Sequence, residues 1–210
     1  MGEPTAFLLP KPDMEKLPFI DRTFVKGKTQ GKPAILFLHG FPAYGGKNED
    51  IAQSVSERLG QDAFILHFRG LGKSEGLFSF EGAVSDALQG VNRLSQEGYL
   101  CIQLVCHSFG SAIGLKASLA SPLIRRLALL APLLELPDPA GTAELVDYFI
   151  TEEAKLGHTY DRADLLQDQE AFREGYQPNV IGAQLISRGT KMWVAQGDQD
   201  SVVSALATRK

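Results

Sequence analysis

The sequence predicts an α/β protein, a mostly parallel sheet with helices on both faces. Three observations lead there. Apolar runs of strand length recur, among them "AILFLHG", "DAFILHFRG", "CIQLVCH" and "IRRLALLAP". They are continuous, as strands buried on both faces require. Amphipathic segments of helical length separate them, which is the rhythm of a parallel sheet with crossover helices. The chain has 210 residues, 44% of them hydrophobic, enough for one globular domain with a sizeable core.

The elements follow in order. "FIDRTFVKG" reads as an antiparallel edge strand leading in. "AILFLHG" is a buried strand ended by Gly40. "NEDIAQSVSERLG" is a helix, with Asn48 as its expected cap and Gly60 as its stop. "DAFILHFRG" is the next strand. From Ser79 to Glu97, Phe80, Val84, Ala87, Leu88, Val91 and Leu94 keep helical spacing, with Ser79 as cap and Gly98 as stop. "CIQLVCH" leads into a helix from Ser108 to Ala120, and "IRRLALLAP" is closed by Pro132. From Leu133 to Gly189 the sequence turns polar, with helix-like pieces and no clear strand. "TKMWVAQG" restores a strand, and "SALATRK" starts a helix. The expected organisation is a core over residues 1–132, a lid or cap insertion over 133–189, and the core resumed over 190–210. The insertion would lie over the carboxyl ends of the strands, where open α/β sheets bind ligands.

Composition removes several classes of function. The formal net charge is −4, which favours neither nucleic acid nor an anionic membrane. No apolar run approaches the length of a membrane span. The N-terminus lacks the charged start, long apolar segment and small-residue cleavage site of a signal peptide. Ala6 stands where a myristoylation pattern needs Ser or Thr. The two cysteines, Cys101 and Cys106, are expected on opposite faces of one strand, where they do not pair. Reduced thiols and a cytoplasmic location follow as the expectation.

The chemistry concentrates in "LVCHSFGSA". An apolar strand stops at Ser108, and a helix of small residues begins. A nucleophile elbow needs this context: a sharp turn, a strained serine that lifts its hydroxyl off the sheet edge, and a following N–H aimed at a developing oxyanion. Gly110 and Ala112 supply small residues on the helix side. Cys106 replaces the first glycine of the G-x-S-x-G pattern. The competing reading is a serine that merely caps an ordinary helix.

Four ordered stretches carry a resemblance: "LFLHGFPA", "HFRGLGKSEG", "VCHSFGSAIG" and "MWVAQGDQDSVV". With them the chain resembles the α/β-hydrolase superfamily, especially its small esterase, monoglyceride-lipase-like and cinnamoyl-esterase-like serine hydrolases. The resemblance runs from about Ala34 to the end and is specific for the superfamily, not for a substrate. It implies Ser108 as nucleophile, with Phe109 and Phe41 as donors of the oxyanion hole. His39, Gly40, His107 and Gly110 would support the site, His39 as a structural residue. It implies Asp200 as the acid that orients the base, with Asp198 as fallback. A turn aspartate capping a helix from Ser201 is the rival reading for Asp200. The implied substrate is a small-molecule carboxylic ester or thioester, and the implied cofactor is none.

A serine hydroxyl is a poor nucleophile without a base. In this superfamily the histidine follows the acid, yet His39, His67, His107 and His158 all precede Asp200. Three explanations stay open. The chain lacks a terminal helix, strand and base loop; or His67 or His158 has taken over; or the pocket serves binding without catalysis. A metal held by His39, His67 and His107 is disfavoured, so no metal is expected. Loss of a terminal strand would leave an apolar edge at "KMWVAQ", suited to a homodimer.

Overall fold

In the computed structural model, residues 20–24, 33–41 and 48–200 are described. Among the described residues six strands form one sheet in the order β1-β3-β2-β4-β5-β6: β1 Ile20–Phe24, β2 Pro33–Leu38, β3 Asp62–Leu66, β4 Cys101–His107, β5 Ile124–Leu130 and β6 Lys191–Ala195. Five of them run parallel, and β1 pairs antiparallel with β3 at the edge. The helices are α1 Asn48–Leu59, α2 Phe80–Gln96, α3 Phe109–Ala120, α4 Pro139–Lys155, α5 Arg162–Glu174 and α6 Pro178–Ser187.

Alternation along the strands divides the core in two. Leu36, Leu38, Phe64, Leu66, Ile102, Leu104, Cys106, Leu127 and Leu129 belong to the large cluster shared with α2, α3 and the α4–α6 segment. Ile35, Phe37, Ala63 and Ile65 point the other way and join Ala52 of α1 in a small one. α1 lies against β1, β3 and β2.

Local chemistry explains the helix ends. Ser79 is extended and its hydroxyl accepts from the Gly82 N–H at 3.1 Å, capping α2 as its position predicts. Gly98 follows with φ 99°, a left-handed conformation that suits glycine. Asp138 and Asp161 cap α4 and α5 in the same way. α1 begins at Asn48, the residue expected at its start. The polar stretch after β5 holds α4, α5 and α6 and no strand. The helix expected from Ser201 lies outside the described residues. Cys101 and Cys106 are both free thiols. No described helix is long and apolar enough to cross a membrane.

Candidate active site

β4 enters the sheet between β2 and β5, with Ile102, Leu104 and Cys106 buried on one face. The chain then reverses at Ser108, which has φ 51° and ψ −120°, and α3 begins at Phe109. Only one other described non-glycine residue has positive φ, Ala131 at 43°. Such backbone costs about 1–3 kcal/mol and persists where its surroundings enforce it. They do so here. The Ser108 N–H donates to the Leu130 carbonyl at 3.0 Å. The Ser108 carbonyl accepts from the Ser111 N–H at 2.9 Å and from the Leu133 N–H at 3.2 Å. The hydroxyl itself makes no cap bond to α3, which removes the reading of Ser108 as an ordinary helix cap.

The small residues around the turn have specific reasons. A Cβ on Gly110 would collide with the Leu38 carbonyl oxygen and lie 2.7 Å from that of His39. Glycine therefore lets α3 start against the end of β2. Cys106, where the family pattern has glycine, is fully buried and faces α3. A Cβ on Gly114 would lie 2.5 Å from its Sγ. The room taken by the cysteine is returned further along the helix. Burial pushes the Cys106 thiol far above its ordinary range, so it behaves as an apolar filler.

β2 ends beside the turn, and His39, Gly40 and Phe41 follow it. A Cβ on Gly40 would lie 3.2 Å from both the Ser108 Cβ and the His107 Nδ1. The rings of Phe41 and Phe109 are 5.6 Å apart. Phe109 is the first residue of α3, so its N–H has no partner within the helix and sits at the positive end of the helix dipole. Among the described residues no carbonyl accepts from the N–H of Phe41 or Phe109.

Phe41 lies in a nest of rings: Phe78 at 4.6 Å, Phe149 at 4.7 Å and Phe80 at 5.7 Å. Phe149, Phe172 and Tyr176 are buried there or beside it, whereas Tyr148 of the same α4 is exposed. Phe149, Tyr160, Phe172 and Tyr176 all pack against other rings.

The histidines have separate employments. His39 is buried, and its Nδ1 donates to the Gly40 carbonyl at 2.8 Å. Its Nε2 is buried without a hydrogen-bond partner among the described residues. Burial lowers its pKa to about 4, opposed by the Gly40 bond and assisted by His67 and His107. His39 is therefore neutral, and its bond to Gly40 holds it at the end of β2. His67 is buried just past β3, and His107 is exposed at the end of β4. His158 donates from Nδ1 to buried Glu153 at 2.6 Å. None of the four is hydrogen-bonded to Ser108 in the described positions. Among the described residues, no group of three His, Cys, Asp or Glu side chains is placed to hold a metal ion.

Asp200 follows β6, at the same end of the sheet as Ser108 with β5 between their strands. It is half-buried; Gln196 Nε2 donates to its carboxylate at 2.9 Å. Asp198 is exposed. The Ala131 N–H donates to the Ala195 carbonyl at 2.8 Å, which ties the ends of β5 and β6 together. Sequence reasoning missed three contacts around the turn and α2. Leu130 holds the turn, and Tyr160 and Asp168 bind the backbone ahead of α2 and at its start. No local pattern marks any of them, because each acts on residues distant in sequence.

Comparison with known proteins agrees with this fold. Residues 29–179 match the family model described as serine aminopeptidase, S33. The chain matches no curated protein. Among solved structures it is similar to Est1E from Butyrivibrio proteoclasticus with bound ferulic acid, at 18% identity and a TM-score of 0.63. That match covers 91% of this chain and 78% of that one. It is also similar to the mouse alpha/beta hydrolase domain-containing protein 10, at 18% identity and TM-score 0.56, covering 96% and 92% of the two chains. A serine hydrolase without lid from Xanthomonas campestris gives 20% identity and TM-score 0.54, covering 90% and 69%. With the parallel sheet, the strained serine turn and a family model spanning most of its length, the chain belongs to the serine aminopeptidase S33 family of α/β hydrolases.

Proposed function

We propose that the protein is a serine hydrolase that cleaves a small carboxylic ester or thioester through an acyl-enzyme on Ser108. The observation that carries this reading is the backbone of Ser108, left-handed and bonded on both sides, with its hydroxyl free of the helix it precedes. Ser108 Oγ attacks the carbonyl carbon as its proton passes to a base. The N–H groups of Phe41 and Phe109 stabilise the oxyanion that forms. Collapse expels the alcohol or thiol, and water then releases the acid. Asp200 orients the base. Among the described residues no hydrogen bond joins His39, His67, His107 or His158 to Ser108. The α4–α6 segment acts as the lid. The two free thiols fit a reducing, cytoplasmic setting. Among the described residues β6 has a strand neighbour only in β5, with Trp193 60% and Val194 45% exposed, which suits pairing with a second copy.

A second reading is favoured by one observation: the Ser108 hydroxyl has no histidine partner among the described residues. The protein would then keep the pocket for binding without turnover. A fluorophosphonate probe separates the two. Rapid labelling of Ser108 that disappears in Ser108→Ala supports the hydrolase. Absence of labelling in the folded wild type supports the binding protein.

A further inference from the structure

Three backbone amides in the segment that opens α2 are held from outside that helix. The Phe78 N–H donates to the Tyr160 hydroxyl at 2.9 Å. The Phe80 N–H donates to the Asp168 carboxylate, and the Glu81 N–H donates to its other oxygen at 3.4 Å. Tyr160 precedes α5 and Asp168 lies on it, more than eighty residues from their partners. The segment they grip carries the rings that support the site. Phe78 is 4.6 Å from Phe41 and 6.0 Å from Phe109. Phe80 is 5.7 Å from Phe41 and 5.6 Å from Phe109.

We propose that Asp168 is a positioning residue for the oxyanion hole, gripping the start of α2 so that Phe78 and Phe80 hold Phe41 and Phe109 in place. The inference rests on the assignment of those two N–H groups to the oxyanion. The chain of contact is short: carboxylate to Phe80 backbone, Phe80 ring to the Phe41 and Phe109 rings, and those residues' own N–H groups to substrate. Each link is a packed ring or a charge-assisted hydrogen bond, so a shift at one end is passed on.

The surroundings of Asp168 support a positional role. Ser79 takes the Gly82 and Ala83 N–H groups of α2, and the two first-turn N–H groups it leaves, those of Phe80 and Glu81, find their acceptor on α5 in Asp168. Burial raises the Asp168 pKa, and the Phe80 and Glu81 amides lower it. The Glu81 carboxylate raises it further, and Lys116 of α3 works against that. Lys116 also pairs with Glu81 and lies 4.4 Å over the Phe172 ring. A half-buried carboxylate beside another carboxylate is a poor choice for packing alone.

The test compares wild type with Asp168→Ala and Asp168→Asn, the second keeping one acceptor oxygen. Three quantities are read: the rate of fluorophosphonate labelling at Ser108, kcat and KM for p-nitrophenyl butyrate, and the amide NMR shifts of Phe41, Phe80 and Glu81. In Asp168→Ala, labelling and kcat are expected to fall about tenfold or more with KM unchanged. The Phe41 amide shift should move together with those of Phe80 and Glu81, because the rings packed on Phe41 move with the start of α2. Asp168→Asn should recover part of both effects. Moved shifts at Phe80 and Glu81 with Phe41 unmoved would overturn the proposal, because Asp168 would then be a local cap. Unchanged labelling in an active protein would overturn it too. A wild type that is never labelled defeats the hydrolase reading, and the Phe41 shift alone then decides whether Asp168 positions Phe41.

Discussion

Ser108 and Asp200 stand at the same end of the sheet, and their surroundings hold them in opposite ways. Ser108 is locked by its backbone. Its N–H and carbonyl make three hydrogen bonds, to Leu130, Ser111 and Leu133, and glycine-sized gaps let α3 close over it. Asp200 follows β6, which has only β5 beside it among the described residues; it is half-buried, its N–H donates to the Gly197 carbonyl at 3.4 Å, and Gln196 donates to its carboxylate. The proposed nucleophile is thus part of the folding core. The proposed acid is an attachment to its rim. A group set by backbone strain has one geometry wherever the domain folds. A half-buried side chain in a turn of its own can be changed with little cost to the fold.

The largest effect is expected where α3 meets β2. Gly110→Ala places a methyl group against the Leu38 and His39 carbonyls. It is expected to cost at least about 3 kcal/mol, since backbone cannot give way as a side chain can. Urea unfolding measures this; a loss below about 1 kcal/mol would mean that α3 starts less tightly against β2 than described.

Next is acidification at the same corner. His39 is neutral in the fold with a pKa of about 4, below the ordinary value of 6.5. A depressed histidine contributes stability in full above pH 6.5 and loses it as pH falls towards 4. The loss reaches about 3 kcal/mol, because each pH unit between the two values is worth about 1.4 kcal/mol. Unfolding at pH 7 and pH 4.5 in wild type and His39→Asn checks this. If the variant loses as much stability on acidification, other groups carry the effect.

Gly114→Ala is expected to cost about 1–3 kcal/mol, because the new methyl meets the Cys106 Sγ. Pairing it with Cys106→Gly tests the cause. The double variant should recover most of the loss, and simple additivity would show that the two residues do not share one space.

The smallest effect on the fold is expected at the other corner. Asp200→Asn should leave the unfolding free energy within about 0.5 kcal/mol of wild type. Fluorophosphonate labelling of Ser108 should meanwhile slow by about tenfold or more, through loss of the group that orients the base. A large stability loss would contradict the contrast between the corners. Unchanged labelling of a reactive serine would assign the acid elsewhere.

The sheet, its helices and the serine turn can be read along the chain, because they depend on period and on local chemistry. Apolar runs mark β2, β3, β4 and β5, Ser79 marks the start of α2, and small residues follow Ser108. Ser108 is legible because an elbow requires its neighbours in the chain to be small. Asp200 is legible only through resemblance, since an aspartate after a strand has an ordinary turn reading as well. What surrounds these residues came from packing. It set Cys106 against Gly114, placed the Leu130 carbonyl on the Ser108 N–H, and gave His158 to Glu153. It also brought Asp168 to the start of α2 across 88 residues of sequence. Periodicity records which face of an element is buried, whereas a hydrogen bond between distant segments exists only after the sheet and helices have come together.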